Sequence, residues 1–147
     1  MLKARFSYLE EVKAQSGDGW YNCPADKLSE VCRILRDEER FDCLTCLTGT
    51  DRGDHLEVAY HLFSYAKKET VVLKVNGNSV SSVTDIYPSA NWMEREVFDL
   101  VGVNFTGHPD LRRIMMPDDW TGNPLRKDYK EPEEYCGMTT EREFVNS

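Results

Sequence analysis

Residues 41–75 read FDCLTCLTGTDRGDHLEVAYHLFSYAKKETVVLKV, and within this run the apolar period changes to two. β-Branched and aromatic side chains are enriched over residues 41–48, 55–65 and 70–75, with turn-like breaks at 49–54 and 66–69. Three strands joined by hairpins are expected. In the middle one Leu56, Val58, Tyr60 and Leu62 share a face while His55, Glu57 and His61 take the other. One side of this sheet therefore packs on a core, and the other is wet or covered by something else. Asn76-Gly77-Asn78 ends the meander.

Working upstream, Pro24 is followed by Leu28, Val31, Cys32 and Leu35, the i, i+3, i+4, i+7 stripe of an amphipathic helix with Lys27, Glu30, Arg33, Arg36 and Asp37 on its solvated face. Leu2, Phe6, Leu9 and Val12 predict a first helix over residues 2–14, stopped by Ser16-Gly17-Asp18-Gly19. Downstream, Ser82 with Asp85 has the form of a helix start that Pro88 interrupts. Ser89 can cap a further helix in which Trp92, Glu96, Asp99 and Leu100 recur until Gly102 stops it. Residues 103–129 have no sustained period, yet hold Phe105, Leu111, Ile114, Trp120, Leu125 and Tyr129 among Gly, Pro and charges. A segment this apolar is expected to lie on something. Residues 130–147 are polar and acidic, a tail expected to be ordered by a partner.

A chain of 147 residues is the length of one domain. Its 18 Lys and Arg against 26 Asp and Glu leave a net charge of −8, a surface that repels nucleic-acid phosphates and anionic lipids. No apolar run approaches the roughly 18–20 residues of a bilayer crossing, and the N-terminal MLKARFSYLEEVK does not resemble a secretory signal. Five cysteines, Cys23, Cys32, Cys43, Cys46 and Cys136, form an odd, scattered set, so reduced thiols in a cytosolic chain are expected.

Cys43 and Cys46 form a C-L-T-C spacing, but in a regular strand residues i and i+3 point to opposite faces, which would forbid chelation of one ion. Structural thiols are the expectation, and a small thiol enzyme using this pair is the rival reading. Three histidines are too dispersed for a metal spacing, although His108 beside Asp110 could be an oriented base. Phosphate loops, dinucleotide fingerprints and nucleophile elbows do not occur. Glu94, Glu96 and Asp99 alternate with Arg95 and lie near Arg112 and Arg113 in sequence, so internal ion pairing is expected of them rather than acid–base catalysis. Arginine interleaved with Trp, Tyr, Phe and Met over residues 94–129 is the palette of a protein interface. A self-packed irregular half with internal salt bridges, or a free-standing binding module, would use the same palette.

The run ANWMEREVFDLVGVNFTGHPDLRRIMMPDDWTGNPLRKDY, residues 90–129, resembles the signature of the 30 kDa subunit of respiratory complex I, the proton-pumping NADH:quinone oxidoreductase. The E-R-E-x-x-D-x-x-G-x-x-F-x-G-H-P-D-L-R-R-I block from Glu94 to Ile114 is long and specific, and Pro124 to Tyr129 adds an independent match. Weaker similarity reaches back to about residue 20 through S-V-T-D-I-Y at Ser82 to Tyr87. The resemblance implies a two-layer α+β sandwich: a mixed, mainly antiparallel sheet with helices on one face and a long irregular C-terminal extension. It implies one domain over residues 1–129, followed by the tail 130–147.

The resemblance further implies a non-catalytic subunit in the hydrophilic arm of the complex, packed on a 49 kDa-like subunit and near a small iron–sulfur subunit. Flavin and iron–sulfur clusters would reside in those partners, with no cofactor or metal in this chain. The chain would sit peripherally on the cytoplasmic side of the cell membrane, with no insertion of its own. His108, Arg112, Arg113, Trp120, Arg126, Lys127 and Tyr129 are the expected interface residues. Related membrane-bound hydrogenases and ferredoxin-linked complexes use similar subunits, so the host's electron donor stays open.

Overall fold

The computed structural model describes residues 5–13 and 19–140. In chain order the elements are β1 (Glu10–Val12), β2 (Trp20–Asn22), α1 (Leu28–Asp37), β3 (Cys43–Asp51), β4 (Leu56–Ser64), β5 (Glu69–Asn76), β6 (Ser79–Ser81), α2 (Ala90–Val101), β7 (Asn104–Thr106), β8 (Glu134–Tyr135) and β9 (Met138–Thr139). A mixed sheet of order β1-β2-β5-β4-β3 carries the fold, antiparallel except where β2 runs parallel to β5. The expected α+β sandwich is present.

The alternation of β4 is complete, with Leu56, Val58, Tyr60, Leu62 and Ser64 buried and the residues between them half-buried. α1 seals the same core with Leu28, Val31, Cys32 and Leu35, all fully buried. Each such aliphatic side chain contributes about 1.5–3 kcal/mol relative to exposure. α2 lies over β3, where Gly49 is required: a Cβ there would stand 2.5 Å from Val97 Cγ1. The missing side chain lets helix and sheet approach closely.

Four local expectations are corrected. The helix proposed for residues 2–14 does not run through its described part: Leu9 N–H bonds Phe6 O in a turn, and Glu10–Val12 pair with Trp20–Asn22 as β1. Phe6 and Leu9 still reach the core, so the apolar spacing is satisfied without a helix. The rest of that expectation, residues 2–4 and 14, lies outside the described residues. β3 continues through Gly49 to Asp51 rather than breaking there. It also carries a bulge between Leu44 and Cys46, which shifts the register so that Cys43 faces Phe63 and Cys46 faces His61. Residues 61 and 63 share the outer face, so both cysteines lie on one side of the sheet, contrary to the regular-strand argument. Finally, Ser82 starts no helix; the Ile86 and Tyr87 N–H groups reach back to Val83 O in a single turn.

Within the tail, residues 134–139 form the β8–β9 hairpin, and the Tyr135 ring packs edge-on to Trp120 at 4.9 Å. The described part of the tail thus lies against this chain's own irregular segment.

Candidate partner-docking surface

An α-helix leaves its last four carbonyls without intrahelical donors, and at α2 those groups organise the irregular segment. Gly102 stops the helix at φ +85, its N–H bonding Val97 O and Phe98 O. Asn123 Nδ2 donates to Phe98 O (3.3 Å) and Asp99 O (2.8 Å), and Leu125 N–H donates to Leu100 O (2.8 Å). Residues 123–125 therefore cap α2 from outside its own sequence.

The second tie is Asp99, whose carboxylate is fully buried. Oδ2 accepts the N–H groups of Ile114 (3.1 Å), Met115 (2.7 Å) and Met116 (2.9 Å), while Oδ1 accepts Arg113 Nη1 at 3.0 Å. Arg113 Nη2 continues to Gly122 O at 3.1 Å. One carboxylate thus fixes the turn at 113–116 and, through Arg113, the turn at 122. Trp120 Nε1–H donates to Tyr129 Oη at 2.9 Å, closing residues 120–129 on themselves.

Glu94 is equally buried but anchors the other side of α2. It accepts Val83 N–H at 2.8 Å and Ser82 Oγ–H at 2.7 Å, and burial raises its carboxyl pKa above the ordinary value, opposed by those two bonds. The His108 ring is fully buried, with Nε2 4.0 Å from Glu94 and 3.1 Å from Asn91 O, while Nδ1 accepts the Asp110 N–H at 3.0 Å. An Nδ1 acceptor beside an Nε2 carbonyl contact describes the neutral Nε2–H tautomer.

The expected interface set divides under this geometry. His108 and Arg113 are held inside the chain. Lys127 lies on the β3 end, its N–H on Asp51 and its Nζ on Arg52 O at 3.1 Å. Trp120 and Tyr129 are half-buried against each other, and Arg126 is half-buried beside Asp128. Arg112 has a mostly exposed side chain, 69%, paired with Asp110 at 3.0 Å, and Lys127 is exposed as well. Of the three acids, Asp99 pairs with Arg113 and Glu94 binds backbone and hydroxyl; Glu96 is exposed and forms no ion pair among the described residues. Arg95, buried, donates Nε–H to Arg112 O and lies over the Trp92 ring at 5.0 Å.

Sequence reading missed Ser82 and Asn123, since Asn123 sits in a Thr-Gly-Asn-Pro run that signals only a turn. It also missed that Trp92, Met115 and Leu125 are left outside, each more than 60% exposed, as are Tyr65 and Met138.

Cys46 and His61 are register partners, yet no hydrogen bond joins them, and Cys46 Sγ lies 3.4 Å from Thr48 Oγ1. Burial raises the Cys23 thiol to about 12 and the Cys32 thiol further, the opposite of nucleophile activation. Among the described residues no three His, Cys, Asp or Glu side chains gather as metal ligands. No helix among them is long and apolar enough to cross a membrane.

Known proteins are similar to this chain in sequence and in fold. The family described as respiratory-chain NADH dehydrogenase, 30 kDa subunit, matches residues 21–135. A relative from Geobacter sulfurreducens, named as a subunit of NADH-quinone oxidoreductase, is 38% identical over 137 residues, 87% of this chain and 85% of that one. A relative of the same name from Roseiflexus sp. is 47% identical over 112 residues, 70% of this chain and 64% of the other. Among solved structures, a trypsin-resistant fragment of Nqo5 superposes with a TM-score of 0.67 at 28% identity, over 75% of this chain and 95% of that one. A chain of an archaeal membrane-bound sulfane sulfur reductase, described as a respiratory membrane complex, gives 0.76 at 26% identity over 88% and 81%.

Proposed function

The chain belongs to the 30 kDa subunit family of the respiratory-chain NADH dehydrogenase, and from that premise we propose that it is a structural, non-catalytic subunit of the hydrophilic arm of a membrane-bound NADH:quinone oxidoreductase. It packs on a 49 kDa-like subunit and near a small iron–sulfur subunit, on the cytoplasmic side of the cell membrane. Flavin and clusters reside in those partners, and this chain supports electron transfer to quinone coupled to proton translocation by holding its neighbours in register. Positional errors of about 1 Å can cost on the order of 10²-fold in rate, so rigid packing at a distance is a sufficient role.

The observation that carries this reading is the pinned irregular segment. Asp99 and Asn123 fix residues 113–125 to α2, yet Trp92, Met115 and Leu125 remain outside. Rigid, exposed apolar side chains beside exposed Arg112 are what an interface anchor needs. Arg112 is the principal cationic anchor, because Arg113 and Lys127 are taken up by the chain itself.

Purification from native membranes tests the proposal: the chain should co-isolate with iron–sulfur subunits, and its deletion should abolish quinone reductase activity. If Arg112 becomes desolvated against an acid of the partner, Arg112→Ala should cost roughly 2–5 kcal/mol of assembly free energy. Arg112→Ala and Arg126→Ala chains that assemble with wild-type yield would remove the arginine anchors. The sulfane sulfur reductase neighbour supports a second reading, the equivalent subunit of a hydrogenase-like or ferredoxin-linked membrane complex. Reduction of the isolated complex by NADH or by reduced ferredoxin separates the two.

A further inference from the structure

Where α2 crosses β3 there is a narrow cleft of about 50 Å³. Its apolar walls are Leu47 and Gly49 from the strand, Val97 and Leu100 from the helix, and Leu125 from the pinned segment, with Glu96 and Thr48 supplying the polar edge. The cleft lies beside Gly49, where the missing side chain brings α2 close to β3, and the backbone of Leu125 at its rim is tied to Leu100 O at 2.8 Å. A volume this small is far below the roughly 300–1,000 Å³ of small-molecule sites. It suits part of one side chain.

The electrostatics name which one. Asp99, Asp110 and Asp128, the other acids of α2 and its attached segment that meet a cation, are paired with Arg113, Arg112 and Arg126. Glu96 is not paired among the described residues, and it sits at the edge of an apolar slot. Lysine and arginine combine an aliphatic stem with a charged head, the complement of a greasy groove ending in one carboxylate. The net charge of −8 favours a basic partner over an acidic one.

We propose that this cleft receives a lysine or arginine side chain of a partner polypeptide, the stem lying between Leu47, Leu100 and Leu125 and the head meeting the Glu96 carboxylate. The inference rests on the subunit reading above and deepens it. Its polarity is opposite to that of the Arg112 anchor proposed above.

The test replaces the full-length chain in cells by Glu96→Gln, Glu96→Lys or Leu125→Ala, isolates the complexes from membranes and follows retention of the chain through a rising salt wash. Glu96→Lys should be lost at least about tenfold more readily than wild type, with Glu96→Gln and Leu125→Ala between them. Retention of Glu96→Gln should also depend less on salt. Since Glu96 is exposed, the isolated variants should melt as wild type does; if Glu96→Lys does not, the near-isosteric Glu96→Gln decides.

Wild-type retention of Glu96→Gln and Glu96→Lys overturns the inference while leaving the subunit reading intact. A wild-type chain that never co-isolates overturns the subunit reading itself, and the cleft proposal with it. Loss on Arg142→Ala equal to that of Glu96→Lys, with recovery in the Glu96→Arg, Arg142→Glu double variant, would assign the cleft to a residue of this same chain and also overturn it.

Discussion

In the meander of β3, β4 and β5, Leu56, Val58, Leu62, Leu73 and Val75 are sealed by strand alternation and need no specific polar partner. Residues 103–129 are as firmly placed, but by Asp99, Arg113, Asn123 and the Trp120–Tyr129 pair. Apolar burial is non-directional and tolerates exchange of one aliphatic group for another. A buried carboxylate accepting four hydrogen bonds tolerates almost nothing, because each donor it abandons is left unsatisfied. The first half should therefore fail as a unit, and the second should fail locally at the tie that is cut.

The largest expected effect is that of Asp99→Ala, about 3–5 kcal/mol of the free energy holding residues 112–125 to α2, because Arg113 also loses its buried partner. Native-state amide exchange should show fast exchange at residues 114–116 with β4 still protected. Leu62→Ala should instead cost about 2–5 kcal/mol and lower protection throughout the sheet. Equal loss of β4 protection in both variants would erase the distinction between the two regions.

Gly49→Val probes the seam where the regions meet. Its Cβ would stand 2.5 Å from Val97 Cγ1 and 3.2 Å from Val101 Cγ2, so overpacking of about 1–3 kcal/mol is expected in urea unfolding, with a smaller shift in a Val97→Ala background. Tyr129→Phe keeps the ring and removes only the hydroxyl that accepts from Trp120, about 0.5–1.5 kcal/mol, and the loosening should be confined to residues 120–129.

The smallest effect is one of pH. Burial raises the Glu94 carboxyl above its ordinary 4.5, so the folded chain holds that proton where the unfolded chain has released it. Its contribution to stability is fully present below pH 4.5 and declines as pH rises through the higher folded value. Glu94→Gln does not titrate, so wild-type stability minus that of the variant should fall between pH 4.5 and neutrality. A difference that grows with pH over that range would mean the buried carboxyl is stabilised as an anion.

What sequence could reveal follows the same division. The alternation of β4 and the Leu28–Leu35 stripe were legible because periodicity is a property of neighbouring residues. β1 was not, since three residues carry too little period to compete with a helical spacing that Phe6 and Leu9 also satisfy. The bulge at Thr45 was hidden because one inserted residue leaves no compositional mark, yet it changes which face Cys46 takes. On α2 the helix and its stop at Gly102 were legible, but Trp92 and Glu96 turn outward while Ala90, Glu94, Val97 and Val101 turn in. The ion-pairing role of Asp99 could be guessed from nearby arginines. Its capture of three successive N–H groups could not, because backbone donors have no letter in a sequence.

The parallel pairing of β2 with β5 also sets a schedule for synthesis. Tyr21 meets Leu73, a strand that leaves the ribosome 73 − 21 = 52 residues later. At roughly 5–20 residues per second the first hairpin waits several seconds with one edge unpaired. The chain's N-terminal edge is thus the part most in need of shelter while it is being made, and the last strand of the main sheet to find its place.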